Sequence, residues 1–201
     1  MRVPQLAERE RSGFADLLAG LTAQQWAAPS LCAGWSVRDV AAHTVGYLDQ
    51  DVFRLLRRMV AARGDVDRVN AAIQPQVAAA TPAELVDLMD RGAAPSGAGG
   101  LYGGRVALIE CLIHQQDVRR PLGLPRTVAE DALRVCLTYA RISPVIAARR
   151  TRGLRLVATD LDWSAGRGPE VRGAGEALLL AMTGRVDAVR DELTGDGVSR
   201  L

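Results

Sequence analysis

The helical spacing of apolar residues across the first two thirds of the chain most constrains its fold. Apolar side chains recur at spacings of three and four over residues 5–20, which predicts an amphipathic helix there. A second such pattern covers residues 36–62, roughly 26 residues or about 39 Å of continuous helix at 1.5 Å per residue. Further patterns predict helices over residues 82–92 and 103–120. Four helices with apolar stripes predict a mainly α protein built on an up-and-down four-helix bundle.

Start signals accompany two of these helices. Ser36 and Asp39 have the spacing of a capping box at the start of the second helix, with Asp39 in the place of the usual Glu. Thr81 precedes Pro82 and is expected to cap the third helix. The capping residues and the apolar spacing therefore agree on where these two helices begin.

The pattern changes in the last quarter of the chain. Residues 154–159 alternate in the manner of a strand, and residues 170–172 are expected to pair with them. Helices are predicted on both sides of these strands, over residues 127–150 with a break at Pro144, 175–182 and 186–193. We therefore expect two parts, a helical bundle over residues 1–150 and a small C-terminal α/β appendage over residues 151–201.

Composition excludes several classes of function. Among the 201 residues, 48% are hydrophobic and 24% charged, as in an ordinary globular protein, and the formal net charge is only +2. That charge does not supply the dense basic surface that nucleic acid or an anionic membrane attracts, so neither partner is expected. No apolar run approaches the ~20 residues of a membrane span. The charged N-terminal residues do not resemble a signal peptide, so we expect a cytoplasmic protein.

Three cysteines, Cys32, Cys111 and Cys136, are widely spaced and form no C-x-x-C pair. This spacing argues against a disulfide framework and against a thiolate zinc site. We expect all three to be small buried hydrophobic residues that are not metal ligands.

The two histidines of the chain both lie in predicted helices. Glu110 and His114 are four residues apart, about 40° on one helix face, and Asp117 continues the same polar stripe. Such a stripe can simply face water. His43, however, has small and apolar neighbours and is expected to point inward.

If the second and fourth helices face one another, His43, Glu110 and His114 supply two imidazoles and one carboxylate. This set suits a catalytic zinc ion with an open fourth position. Asp39 and Asp117 are candidates for orienting the imidazoles, although the capping role of Asp39 competes.

Two motifs resemble a known family. The segment Trp26–His43, with Pro29-Ser30-Leu31-Cys32-Ala33-Gly34-Trp35-Ser36 at its centre, closely resembles the N-terminal signature of the mycothiol-dependent maleylpyruvate isomerase family, within the DinB-like metalloenzyme superfamily. The segment Glu110–His114 resembles the second metal motif of that family. The C-terminal segments 156–160 and 178–185 are similar to its tail.

The resemblance implies a DinB-like bundle in which His43, Glu110 and His114 bind zinc or another divalent metal. It implies mycothiol as a second cofactor, held as a metal-bound thiolate for transfer to, or isomerisation of, a small electrophilic substrate. It also implies an arginine, matched here by Arg185, that reaches toward the substrate. Asn70 and Gln74 are further candidates for binding the sugar of the thiol, with loop capping as their simpler role.

Two alternatives to this function stay open. The first is a zinc hydrolase in which metal-bound water is the nucleophile and Asp117 or Asp39 is the base. The second is a non-catalytic protein that binds metal for structural or regulatory purposes.

Overall fold

The structure is a computed structural model that describes residues 1–64, 68–69 and 79–201, so Asn70 and Gln74 lie outside the described residues. The chain divides into two compact units, Met1–Pro125 and Arg126–Leu201. Among the described residues, the helices of the first unit include α1 (Val3–Ala19), α2 (Ala23–Ala27), α3 (Val37–Leu48), α4 (Val52–Ala61), α5 (Pro82–Arg91) and α6 (Leu101–Arg119).

Four of these helices, α1, α3, α5 and α6, pack as a bundle, which confirms the predicted mainly helical fold. Their shared core includes Phe14, Val40, Leu85 and Val118, one residue from each helix. The predicted capping box is present at the start of α3, and Thr81 caps α5 as predicted. None of the described helices combines the length and the apolarity needed to cross a membrane.

The predicted continuous helix over residues 36–62 is wrong, because α3 ends at Leu48 and α4 begins at Val52. Asp51 lies between them, and its carboxylate accepts hydrogen bonds from the amides of Phe53 at 2.9 Å and Arg54 at 3.1 Å. A side chain that caps the next helix favours a break even where the apolar pattern continues.

A buried arginine ties the bundle together near this break. Arg11 on α1 is 1% exposed, and its Nη1 lies 2.8 Å from a carboxylate oxygen of Asp49, at the end of α3. Its Nε donates to the carbonyl of Met89 on α5 at 2.9 Å. A Cβ added at Gly92 would lie 2.0 Å from Nη2 of Arg11, so the guanidinium occupies the space beside this glycine.

The N-terminal end of α6 is irregular. Tyr102, Gly103 and Gly104 have positive φ angles of 53°, 68° and 86°, so regular helical geometry begins at Arg105. This agrees with the predicted start near residue 103. Two consecutive glycines permit the left-handed backbone there at little cost.

The second unit has both helices and strands, as the sequence predicts. Its elements are α7 (Glu130–Ile142), β1 (Arg155–Ala158), β2 (Ser164–Gly166), β3 (Glu170–Gly173), α8 (Gly175–Met182) and α9 (Val186–Val189). The sheet order is β2-β1-β3, with β1 antiparallel to β2 and parallel to β3.

Three details differ from the prediction. Strand β2 lies between the two predicted strands and was not itself predicted. Helix α7 ends at Ile142, which confirms the predicted break at Pro144, but the helix does not resume toward residue 150. The division into units lies after Pro125 rather than after residue 150, because α7 packs against α8 of the second unit.

Candidate metal centre

The side chains of His43, Glu110 and His114 come together between α3 and α6 inside the first unit. Nε2 of His114 lies 3.2 Å from Oε2 of Glu110, and Nε2 of His43 lies 3.9 Å from the same oxygen. One ligand atom from each residue lies within 4.8 Å of the other two. The polar stripe on α6 therefore faces the interior of the bundle rather than water.

The helical spacing explains why α6 contributes two of these residues. Glu110 and His114 are separated by one helical turn and therefore lie on the same face. The apolar residues of α6 point elsewhere and leave this face for the site, with Leu108 and Leu112 fully buried. Glu110 keeps 19% of its side chain exposed, whereas the two histidines keep 4% and 6%.

Aromatic rings surround His43. Its ring centroid lies 5.0 Å from that of Trp35 and 5.9 Å from that of Tyr47, which is stacked on it at an interplanar angle of 23°. The ring of His114 lies 5.0 Å away and nearly perpendicular. These contacts restrict the orientation of the His43 imidazole and leave its Nε2 on the side of Glu110.

Hydrogen bonds hold His114 instead. Its Nδ1 lies 2.8 Å from Oδ2 of Asp117, a residue with no exposed side-chain surface. Burial by itself lowers the pKa of His114, but hydrogen bonds with Asp117, Cys32 and Glu110 outweigh burial and raise this pKa well above its usual value. Because a metal binds only the unprotonated nitrogen, a cation at this site competes with that proton.

The three side chains fit a divalent metal ion. Tetrahedral zinc with ligand atoms at about 2.0–2.1 Å requires neighbouring ligand atoms about 3.4 Å apart. The distances of 3.2 Å and 3.9 Å bracket this value. Asp117 binds Nδ1 of His114 and so leaves Nε2 for the metal, which is the usual arrangement around a metal-bound histidine.

Asp39 contacts Ser36 at the start of α3, whereas Asp117 contacts the candidate ligand His114. Its Oδ2 accepts the backbone amide of Ser36 at 2.9 Å and the Ser36 hydroxyl at 2.6 Å, as expected for a capping box. Arg185 lies in the second unit at the start of α9, where its Nη1 donates to the carbonyl of Thr183 at 2.7 Å.

Cys32 is the residue that sequence reasoning assigned incorrectly. Cys111 and Cys136 are buried as predicted, and burial raises the pKa of Cys111. Cys32 is only partly buried, and its thiol donates to Oδ2 of Asp117 at 3.2 Å. Cys32, Asp117 and His114 thus form a second cluster beside the first. No spacing rule joins residues 85 positions apart, so only the fold reveals this contact.

The fold and the site define this chain as a helical-bundle protein with a candidate metal centre. Residues 7–96 match the family described as mycothiol maleylpyruvate isomerase N-terminal domain. The predicted resemblance is confirmed for this segment.

Solved structures of similar fold support the same class. A crystal structure of the mycothiol-dependent maleylpyruvate isomerase has a TM-score of 0.62 and 17% identity, over 96% of this chain and 90% of that chain. A histidine-to-alanine variant of that enzyme matches with the same TM-score and coverage at 16% identity. No curated protein sequence matches this chain.

Proposed function

We propose that this chain is a divalent-metal-dependent enzyme that uses mycothiol as a thiol nucleophile. The reaction is either transfer of the thiol sulfur to a small electrophilic substrate or isomerisation of that substrate, and zinc is the first candidate metal. The observation that carries the proposal is the convergence of one ligand atom each from His43, Glu110 and His114 within 4.8 Å. The domain family of residues 7–96 and the fold of the mycothiol-dependent maleylpyruvate isomerase support the choice of thiol.

The charge of the ligand set is compatible with a thiol as the next ligand. A divalent ion held by two neutral imidazoles and one carboxylate would keep a net charge of about +1, which would favour the deprotonated form of a thiol. His43 and His114 fix the position of the ion from two helices. Glu110, the most exposed of the three, contributes the only negative charge.

The hydrolase alternative lacks support from the two residues considered as its base. Oδ2 of Asp117 lies 2.8 Å from Nδ1 of His114, on the ring edge opposite Nε2, so it faces away from the open metal position. Asp39 is engaged at the start of α3. Neither carboxylate is therefore placed to act as the base of the hydrolase alternative.

The resemblance also assigns a substrate-binding arginine, and we propose Arg185 for this role. Arginine binds carboxylates through two parallel hydrogen bonds, which lysine does not reproduce. Arg185→Lys is expected to raise KM for a carboxylate substrate with little change in metal content. Arg190→Lys, a neighbouring exposed arginine that pairs with Asp187, is the matched control.

Metal analysis followed by a thiol assay tests the proposed function. The purified protein is expected to contain one divalent metal ion per chain. It is then incubated with maleylpyruvate or another electrophilic substrate and with mycothiol, glutathione or no thiol. Turnover only with mycothiol supports the proposal, turnover without thiol supports the hydrolase, and a protein that neither binds metal nor turns over any substrate overturns both.

A further inference from the structure

We propose that Cys32 is a positioning residue of the metal centre, whose thiol fixes the carboxylate of Asp117 and through it the imidazole of His114. This inference rests on the proposed function, because it assigns a role to a residue that supports the proposed metal ligands. Cys32 is not itself placed among the ligands.

The first observation is that one carboxylate oxygen serves both partners. Oδ2 of Asp117 lies 2.8 Å from Nδ1 of His114 and 3.2 Å from Sγ of Cys32. A fully buried carboxylate depends on such donors, because no water replaces them. Removal of the thiol donor leaves the carboxylate with more freedom to rotate about its last bond. The direction of the bond to His114 then becomes less well defined.

The second observation is that the loop holds Cys32 firmly. Its backbone amide donates a hydrogen bond to Oγ of Ser30 at 3.1 Å, and its carbonyl accepts a hydrogen bond from the amide of Trp35 at 2.9 Å. Pro29 and Ser36 form a bridge that closes the loop. A fixed backbone limits the thiol of Cys32 to a few staggered χ1 positions, one of which places it against Asp117.

The third observation is a direct connection between this loop and α6. The amide of Leu31 donates to the backbone carbonyl of Asp117 at 3.0 Å. The loop therefore contacts Asp117 twice, once through the backbone of Leu31 and once through the side chain of Cys32. The same loop leads into α3, which carries His43. Cys32 thus lies where the segments that supply the two histidines meet.

The chemistry of the group explains why a thiol suits this place. A thiol is a weak hydrogen-bond donor, so it orients Asp117 without competing strongly with His114 for the negative charge. The partners that orient metal ligands typically affect metal affinity by about 10–100-fold. Cys32 would act on the ligand His114 through Asp117 rather than directly, so we expect an effect on metal affinity near the lower end of that range.

The experiment compares zinc affinity among four variants by competition with a chromophoric chelator. Cys32→Ala and Cys32→Val remove the donor, with Val preserving more of the packing, and Cys32→Ser keeps a donor. We expect Ala and Val to weaken zinc binding about tenfold and Ser to restore it to within about threefold of the parent. Cys136→Ala, at a buried cysteine of the second unit, is the control and is expected to leave zinc affinity unchanged.

A double-mutant cycle separates positioning from general stability. If Cys32 acts through Asp117, the change Cys32→Ala has little further effect on zinc affinity once Asp117→Asn is present. Circular dichroism verifies the fold of each variant. The absorption spectrum of the cobalt-substituted protein is expected to change its ligand-field bands in Cys32→Ala and to show no thiolate-to-metal charge transfer in the parent.

Several results overturn the inference. Equal zinc affinity and equal cobalt spectra in the parent, Cys32→Ala and Cys32→Val show that the thiol does not position the site. The same conclusion follows if Cys32→Ser binds zinc as weakly as Cys32→Ala. It also follows if the effects of Cys32→Ala and Asp117→Asn on zinc affinity are fully additive. A charge-transfer band lost in Cys32→Ser shows that Cys32 is a ligand instead. A parent protein that binds no zinc overturns the proposed function and this inference together.

Discussion

The two histidines of the candidate site are held in different ways. His114 on α6 is fixed by hydrogen bonds, with Asp117 2.8 Å from its Nδ1. His43 on α3 is fixed by ring contacts, with Trp35 and Tyr47 at centroid distances of 5.0 Å and 5.9 Å. Hydrogen bonds tune the charge and basicity of a ligand, whereas ring contacts mainly restrict its orientation. The site therefore combines one histidine whose basicity is set by hydrogen bonds with one whose orientation is set by ring contacts.

Removal of either histidine gives the largest expected effect and separates the two kinds of support. His43→Ala and His114→Ala are each expected to lose bound zinc, because two remaining ligands do not complete a stable site. His114→Ala also leaves the buried Asp117 without its imidazole, at a cost of about 1–3 kcal/mol in stability. Equilibrium dialysis and thermal unfolding measure the two effects. Equal zinc binding by His43→Ala and the parent would contradict the metal site.

Glu110→Gln tests the negative charge of the carboxylate that lies close to both histidines. The amide keeps the shape of the side chain but removes the only anionic ligand, so zinc affinity is expected to fall by more than the roughly 10–100-fold typical of supporting residues. Glu8→Gln, at an exposed position of α1, is the matched control. Competition with a chelator gives both affinities. An unchanged affinity in Glu110→Gln would remove Glu110 from the ligand set.

Asp117→Asn weakens the polar support of His114 alone. The neutral amide still accepts a hydrogen bond from Nδ1 but no longer increases the basicity of the ring, so zinc affinity is expected to fall about 10–100-fold. Asp90→Asn, on the exposed surface of α5, is the matched control. The same chelator competition measures the change. A loss no greater than that of the control would mean that Asp117 serves only folding.

Trp35→Leu tests the ring support of His43 and has the smallest expected effect. Aromatic contacts of this kind contribute about 0.5–1.5 kcal/mol, so zinc affinity is expected to fall by less than about tenfold. Trp35→Phe retains a ring and is expected to recover most of the loss. Isothermal titration with zinc gives the values. A loss as large as that of Asp117→Asn would show that the two kinds of support are equally strong.

Much of the helical fold was predictable, because the spacing of apolar residues records which face of each helix is buried. The i,i+4 pair Glu110 and His114 was predictable for the same reason, and so was the inward direction of His43. The break between α3 and α4 was not, because the apolar pattern continues through it while Asp51 caps the second helix. Local capping outweighs periodicity at that point.

Contacts across long stretches of sequence could not be predicted from spacing. The approach of Cys32 to Asp117 depends on a loop folded against the end of α6, and nothing in either segment alone indicates it. The parallel pairing of β1 with β3, with β2 antiparallel on the other side, likewise depends on tertiary packing. Short strands of three or four residues carry too little pattern to reveal their partners.

The buried Arg11 also makes the effects of substitutions at neighbouring positions depend on one another. A methyl group at Gly92 would collide with the guanidinium, which is held in place by Asp49 and by the carbonyl of Met89. Replacement of Gly92 therefore requires the guanidinium of Arg11 to move, and a smaller residue at position 11 would remove this collision. Replacement of Arg11 in turn removes the partner of Asp49. Substitutions at Arg11, Asp49 and Gly92, which lie on three segments of the bundle, are thus expected to be coupled rather than independent.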